Sequence, residues 1–141
     1  MSKKLNEQFL NVFLEIDKLC CEKFGINVGG VTEYISRLNN ARFAPGRDDA
    51  LPRLVRYRNL RNRFAHEPGA IRKSDDVVKD DVRWLHRFLA DLRRRKDPIA
   101  RYLKKARRYA IRRKLRKIFG VSMVVLVVTL ACIIWYLLSK G

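Results

Sequence analysis

The sequence predicts an all-α protein, a bundle of four to five helices with its last helix leading into a membrane. Apolar residues recur at intervals of three and four through residues 1–97, and no segment alternates as a half-buried strand would. A strongly basic stretch follows, and then 21 consecutive residues without a charge. We therefore divide the chain into a helical domain (1–97), a basic juxtamembrane helix (98–117), a transmembrane helix (118–138) and a short tail (139–141).

Two helices are predicted in the first 40 residues. The first runs from about Lys4 to Phe24, and Gly25 then supplies the residue that best tolerates a left-handed conformation. A shorter helix follows the Gly29-Gly30 turn and ends near Asn39-Asn40. The apolar face of the first helix consists of Leu5, Phe9, Val12, Phe13, Ile16, Leu19, Cys20 and Phe24.

Three further helix limits are predicted from capping and breaking residues. The third helix runs from about Asp49 to Glu67, because Pro68-Gly69 cannot continue it. The fourth begins at Ser74-Asp75-Asp76, whose acids suit a helix N-terminus, and turns Val78 inward. Asp97-Pro98 combines a capping residue with proline at the first helical position, so a fifth helix begins there.

The uncharged segment is long enough to cross a bilayer. As a helix its 21 residues reach about 32 Å, against a hydrocarbon core of about 30 Å. Between Arg93 and Lys117 there are 14 lysines and arginines and one acid, Asp97. This bias predicts a single-pass, tail-anchored protein with its N-terminal domain in the cytoplasm and its C-terminus on the far side. Trp135 and Tyr136 would lie near the distal interface.

The basic stretch accounts for most of the net charge of +18, since residues 1–92 carry 17 basic and 13 acidic residues. Next to a membrane it would contact the anionic inner leaflet, at about 1 kcal/mol per cation. It could also bind RNA phosphates, but its position beside the span favours lipid. The predicted lipid-binding residues are Arg101, Lys104, Lys105, Arg107, Arg108, Arg112, Arg113, Lys114, Arg116 and Lys117.

One group of polar residues in the third helix suggests chemistry. Arg58, Asn62 and His66 are spaced four residues apart and form a stripe, which Arg61 flanks. His66 lies in the last turn, where the negative end of the helix dipole favours a protonated imidazole. Guanidinium groups bind phosphate and stabilise added negative charge, so these residues fit a phosphodiester ligand; Arg58 and Arg63 are the predicted phosphate-binding pair.

The segment from Arg61 to His66 resembles the motif of HEPN domains, which are small helical bundles of prokaryotic defence, toxin and RNA-processing systems. The motif is an arginine, a polar residue, three further residues and a histidine. In ribonucleolytic members it is the active site, is completed across a homodimer, and cleaves RNA without a metal. The resemblance implies that His66 is the general base or acid, that Arg61 binds the phosphate, and that Asn62 orients them.

Structural alternatives exist for the same residues. His66 could cap its helix by bonding the last carbonyls, and Arg61 could pair with Glu7 or Asp81. His86 is expected to be solvated or half-buried. The spacing of histidines and cysteines predicts no metal site, and without a glycine-rich phosphate loop no cofactor is expected. Two functions stay open, a membrane-anchored endoribonuclease of a defence or toxin system and a non-catalytic membrane-anchored adaptor or binding module.

Overall fold

The computed structural model describes residues 2–140, apart from the side chains of Ser2 and Leu137, and over that range every regular element is a helix. Gly141, the end of the predicted tail, lies outside the described residues. The predicted all-α class is confirmed. Two compact units are present, one ending at Tyr102 and the other beginning at Leu103. The helices are α1 Ser2–Phe24, α2 Gly30–Asn40, α3 Arg47–His66, α4 Ala70–Lys73, α5 Lys79–Arg93 and α6 Pro98–Lys140.

Helix α1 is the centre of the first unit, since it packs against α2, α3, α4 and α5. Its predicted apolar face is inside, with Phe9, Ile16 and Cys20 fully buried. Gly25 ends the helix with a φ of 67°, in the left-handed conformation expected of it. The spacing of apolar residues at intervals of three and four therefore predicted correctly which side of α1 faces the core.

A chain of aromatic contacts joins the helices through this core. The Phe9 ring lies edge-on to Tyr57 of α3 at 5.6 Å, and Tyr57 contacts Trp84 of α5 at 5.6 Å. Trp84 stacks on Phe88 at 5.0 Å, and Phe88 meets Tyr34 of α2 edge-on at 5.4 Å. Offset and edge-to-face contacts of this kind add to the free energy gained by burying the rings.

The predicted start of the fourth helix is wrong. Ser74 to Asp76 do not begin a helix: a four-residue helix, α4, precedes them, and the long helix α5 starts only at Lys79. Its N-terminus is capped from within, because the Asp81 carboxylate accepts a hydrogen bond from the Val78 amide at 3.0 Å. Val78, expected inside, is 53% exposed, and Val77 is buried in its place.

The predicted start of the last helix is confirmed. Pro98 is the first residue of α6, and the carboxylate of Asp97 accepts a hydrogen bond from the Ala100 amide at 3.2 Å. Ile99 is buried and Tyr102 is half-buried, so the first turn of α6 belongs to the first compact unit.

Beyond Tyr102, α6 exposes its side chains along its described length, apolar ones included. An 18-residue window of this helix has a mean hydropathy of 2.7, and none of that window is buried. By length and composition α6 can cross a membrane. It runs without interruption from the basic stretch into the apolar stretch.

Candidate functional site

A shallow groove of about 220 Å³ runs beside α3. Three of the residues that the sequence singled out, Arg58, Arg61 and Asn62, line one wall of it. The opposite wall comes from α1 and from the turn that begins α2. Its residues are Phe13, Asp17, Val28, Gly29, Val31 and Thr32.

The two arginines of this groove have weak internal contacts only. Arg61 donates to the neighbouring Asn62 side chain at 3.3 Å, and Arg58 donates to the Asn59 side chain at 3.4 Å. Neither forms an ion pair with a carboxylate in the part of the chain that the structure describes. Asp17 lines the same groove, but one oxygen of its carboxylate already accepts the Val31 amide at 2.7 Å and so holds the start of α2.

Neither carboxylate suggested as a partner of Arg61 forms an ion pair with it. Asp81 is buried, accepts hydrogen bonds from the Tyr57 hydroxyl at 2.9 Å, and pairs with Arg56 at 3.0 Å. Glu7 lies 3.8 Å from Lys3 on α1. The guanidinium of Arg61 therefore keeps most of its donors for water or a ligand.

Arg63 lies apart from this groove. Its guanidinium pairs with Asp76 and donates to the Ser74 hydroxyl at 3.1 Å, which fixes the segment between α4 and α5 against α3. The Ser74 hydroxyl also donates a hydrogen bond to Asp76. The hydrogen bonds from Ser74 and Arg63 hold the pKa of the Asp76 carboxyl below its usual value. Arg63 was predicted to bind phosphate, but its guanidinium is paired with Asp76. The sequence had assigned Asp76 to the N-terminus of the fourth helix.

His66 is the last residue of α3 and is exposed. Its side chain makes no hydrogen bond to any residue that the structure describes. The end of α3 is completed by the backbone instead, through a hydrogen bond from the Glu67 amide to the Arg63 carbonyl at 2.9 Å. His86 is exposed on α5, as expected.

The sequence did not indicate the opposite wall of the groove. Val28 is 82% exposed in the turn before α2, and Asp17 lies on the side of α1 that faces that turn. No sequence signal marked these residues, because a single apolar residue in a turn is common on protein surfaces and Asp17 reads as an ordinary polar position of α1.

The predicted lipid-binding residues lie along α6. Arg101 is in the first unit, 3.8 Å from Asp91 of α5. The other nine, from Lys104 to Lys117, are exposed in the second unit. Tyr109, which lies between Arg108 and Arg112 in the same stretch, is 73% exposed.

Comparison with known families gives a match to a family described as a family of unknown function, DUF6548, over residues 7–118. The match covers more than half of the chain. The chain belongs to DUF6548. In this DUF6548 chain the matched residues include the bundle from Glu7 onward, the α3 groove and the basic stretch of α6. No match to a curated protein or to a solved structure was found.

Proposed function

We propose that this protein is a membrane-anchored, HEPN-like endoribonuclease that works without a metal. One observation carries the proposal: Arg58 and Arg61 line an open groove without a carboxylate partner among the described residues, on the helix that ends in the exposed His66. Structural arginines are usually paired, as Arg56 and Arg63 are on the same helix. Guanidiniums without a carboxylate partner among the described residues, on the helix that also carries His66, favour a phosphodiester ligand.

The chemistry is an internal transesterification of RNA. The ribose 2′-oxygen bonds to phosphorus while the bond from phosphorus to the 5′-oxygen breaks, which leaves a 2′,3′-cyclic phosphate and a 5′-hydroxyl. His66 takes the 2′-hydroxyl proton, a water molecule protonates the leaving 5′-oxygen, and the imidazolium of His66 returns its proton to the hydroxide so formed, so the step needs no co-reactant besides solvent. Arg61 stabilises the extra charge on the phosphoryl oxygens, and Asn62 orients the Arg61 side chain through their hydrogen bond.

A second copy of the chain would complete the site. Five residues along a helix correspond to a rotation of about 140°, so Arg61 and His66 point in different directions from α3. In agreement, the described residues that line the groove include Arg61 but not His66. We therefore propose a homodimer in which His66 of one copy serves the groove of the other.

The membrane part of the proposal rests on α6. Its exposed apolar stretch would be unfavourable in water, whereas in a bilayer each Val, Ile, Leu or Phe contributes about −0.3 to −0.6 kcal/mol. The basic residues before it favour a cytoplasmic bundle and contact with anionic lipid. A nuclease held there would act on RNA that reaches the inner face of the membrane.

The test uses the full chain in mild detergent, incubated with single-stranded RNA in the presence of EDTA. Cleavage with a 2′,3′-cyclic phosphate end is expected, and His66→Ala and Arg61→Ala should each lower the rate by about 10²-fold or more. His86→Ala, at the other histidine, is the matched control and should cleave as the wild type does. Cleavage that is unaffected by His66→Ala, or absent from concentrated wild-type protein, contradicts the nuclease proposal.

A second candidate is a membrane-anchored RNA-binding adaptor without catalysis. It is favoured by the separation of His66 from the groove within one copy. If the protein is such an adaptor, it binds RNA without cleaving it, and its affinity for RNA falls as the salt concentration rises. Arg61→Ala should then lower the slope of log K against log salt by about 0.7, the value for one lost phosphate contact on a single strand. Arg83→Ala on α5, whose arginine pairs with Asp80, serves as the control.

A further inference from the structure

A second polar cavity shares no lining residue with the groove beside the motif and has no role in the proposed reaction. Its volume is about 340 Å³, at the lower end of the roughly 300–1,000 Å³ typical of small-molecule sites. It lies between the start of α3, the middle of α5 and the first turn of α6. The charged residues and the tryptophan of its lining are Asp49, Arg53, Trp84, Arg87, Asp91 and Arg101.

The cavity has an excess of unsatisfied guanidinium donors. Arg87 makes no hydrogen bond or ion pair to any described residue, and Arg101 approaches Asp91 at 3.8 Å, beyond hydrogen-bond distance. Only Arg53 is well bonded, to Asp49 at 3.0 Å. Three guanidiniums thus face two carboxylates of the lining, and one of these is already occupied; a third acid, Asp80, lies 3.7 Å from Arg53 but outside the lining.

The carboxylate of Asp49 is used on both oxygens. One accepts from Arg53, and the other accepts from the indole of Trp84 at 3.1 Å. Trp84 is only 8% exposed and stacks on Phe88, so the floor of the cavity is rigid and apolar. Asp49 therefore orients Arg53 and Trp84 and is poorly placed to neutralise Arg87 or Arg101.

The backbone adds to this positive character. Gly46, which precedes α3, and Pro98, the first residue of α6, both line the cavity. Two helix N-termini therefore lie at its rim, and the positive end of a helix dipole favours an anion, although the carboxylate of Asp97 already caps α6. The helix ends support the arginines here and would not make a site without them.

We propose that this cavity binds a phosphate monoester. A monoester is a dianion near neutral pH and presents three terminal oxygens, one for each guanidinium, whereas a carboxylate presents two. Arginine pairs with such oxygens through two parallel hydrogen bonds. The ligand could be a soluble phosphorylated molecule or a monoester lipid headgroup; the binding chemistry is the same, and the experiment separates the two sources.

A phosphate bound in this cavity would link helix α3 to the first turn of α6. Arg53 belongs to α3, which carries the Arg61 motif, and Arg101 belongs to α6, which carries the apolar stretch. A phosphate held by both would add bonds between α3 and the first turn of α6, and it would stabilise the bundle by an amount that grows with the logarithm of the ligand concentration above its dissociation constant. This proposal does not depend on RNA cleavage, and failure of either leaves the other intact.

The experiment uses Trp84 as the reporter. The chain has two tryptophans, so Trp135→Phe in the full chain leaves Trp84 as the sole emitter. Glycerol phosphate is titrated into this protein in mild detergent while its fluorescence is recorded. A saturable change is expected. Arg87→Ala and Arg101→Ala should each raise the dissociation constant about tenfold or more, as expected for a lost charge-assisted hydrogen bond.

Arg83→Ala is the matched control, because Arg83 lies one turn from Arg87 on α5 and outside the cavity lining. Its dissociation constant for glycerol phosphate should lie within about twofold of that of the protein with all its arginines in place. Arg87 is exposed, so its loss is not expected to unfold the bundle, and circular dichroism of each variant checks this. No saturable response up to about 10 mM, or equal weakening by Arg83→Ala, overturns the proposal.

A second arm identifies the source of the phosphate. The same protein is placed in phosphatidylcholine nanodiscs that also contain phosphatidic acid, a monoester, or phosphatidylglycerol, a diester. If Trp84 fluorescence responds to phosphatidic acid but not to phosphatidylglycerol, and added glycerol phosphate reverses the response, the site binds a lipid headgroup. A response to glycerol phosphate alone assigns it to a soluble monoester. Equal responses to both lipids with none to glycerol phosphate overturn the proposal.

Discussion

The hydroxyl of Tyr34 donates a hydrogen bond to the carboxylate of Asp97 over 2.8 Å, and both side chains are fully buried. The ammonium of Lys23 lies 2.9 Å from each oxygen of the same carboxylate. Asp97 also accepts the Ala100 amide at the first turn of α6. One buried carboxylate therefore joins α1, α2 and α6, and every group that it meets is a donor.

Replacing Asp97 should strongly destabilise the bundle. Asp97→Ala leaves the Lys23 charge and the Tyr34 hydroxyl without their acceptor and removes the cap of α6. We expect a loss of about 3–5 kcal/mol in the free energy of unfolding, the range for breaking a buried pair. Urea unfolding followed by Trp84 fluorescence measures it. Asp48→Ala, at a side chain that is 96% exposed beside Arg47, is the control and should change stability by less than about 0.5 kcal/mol.

The bundle should lose stability at alkaline pH. Burial, together with the neighbouring Asp81, raises the pKa of Tyr57 to about 12, and burial raises the pKa of Cys20 to about 12. Burial and Asp97 raise the pKa of Tyr34 as well. These groups are neutral when protonated, so the unfolded chain loses their protons at a lower pH than the folded chain does. Stability is therefore full below about pH 9 and falls as the pH rises toward about 12.

Tyr57→Phe tests that explanation. Removing one titrating hydroxyl should flatten the decline of unfolding free energy between about pH 10 and pH 12, whatever its effect at neutral pH. Tyr109→Phe, at a ring that is 73% exposed on α6, is the control and should keep the wild-type slope. The same decline in Tyr57→Phe as in the wild type would rule out Tyr57 as a source of the alkaline effect.

A methyl group at Gly30 should push α1 and α2 apart. An added Cβ would lie 2.2 Å from the carbonyl oxygen of Asp17 and 2.5 Å from the amide nitrogen of Cys21, both backbone atoms of α1. We expect Gly30→Ala to lower the free energy of unfolding by about 2–3 kcal/mol, at the upper end for overpacking. Ser36→Ala, at an exposed position of α2, should stay within about 0.5 kcal/mol. A tolerated Gly30→Ala would mean that the helices approach less closely than described.

The motif residues should contribute little to folding. Arg61 and His66 have no strong internal bonds, so Arg61→Ala and His66→Ala should each change the free energy of unfolding by less than about 0.5 kcal/mol. Arg56→Ala should lower it by about 1–2 kcal/mol, because buried Asp81 loses its ion pair, discounted for the half exposure of Arg56. A loss above about 2 kcal/mol for Arg61 or His66 would make them structural and weaken both the nuclease and the RNA-binding proposals.

The sequence alone identified helix ends that depend on local chemistry. Gly25 and Pro98 mark their boundaries because backbone conformation at glycine and proline is set by the residue itself. It missed the start of α5, since the cap comes from Asp81 and not from the acids that precede it. The acid Asp76 instead pairs with Arg63, a partner 13 residues earlier that no local rule indicates.

For the site, the sequence determined which residues share the α3 stripe, and only the tertiary structure decided which of them are free. Arg56, Arg58, Arg61 and Arg63 are alike in sequence, but a carboxylate from another segment reaches Arg56 and Arg63, whereas Arg58 and Arg61 have no carboxylate partner among the described residues. The apolar stretch of α6 needed no tertiary information, because its length and hydropathy are properties of consecutive residues. Ion pairing depends on which distant side chain comes within about 4 Å, and only the packed helices determine that distance.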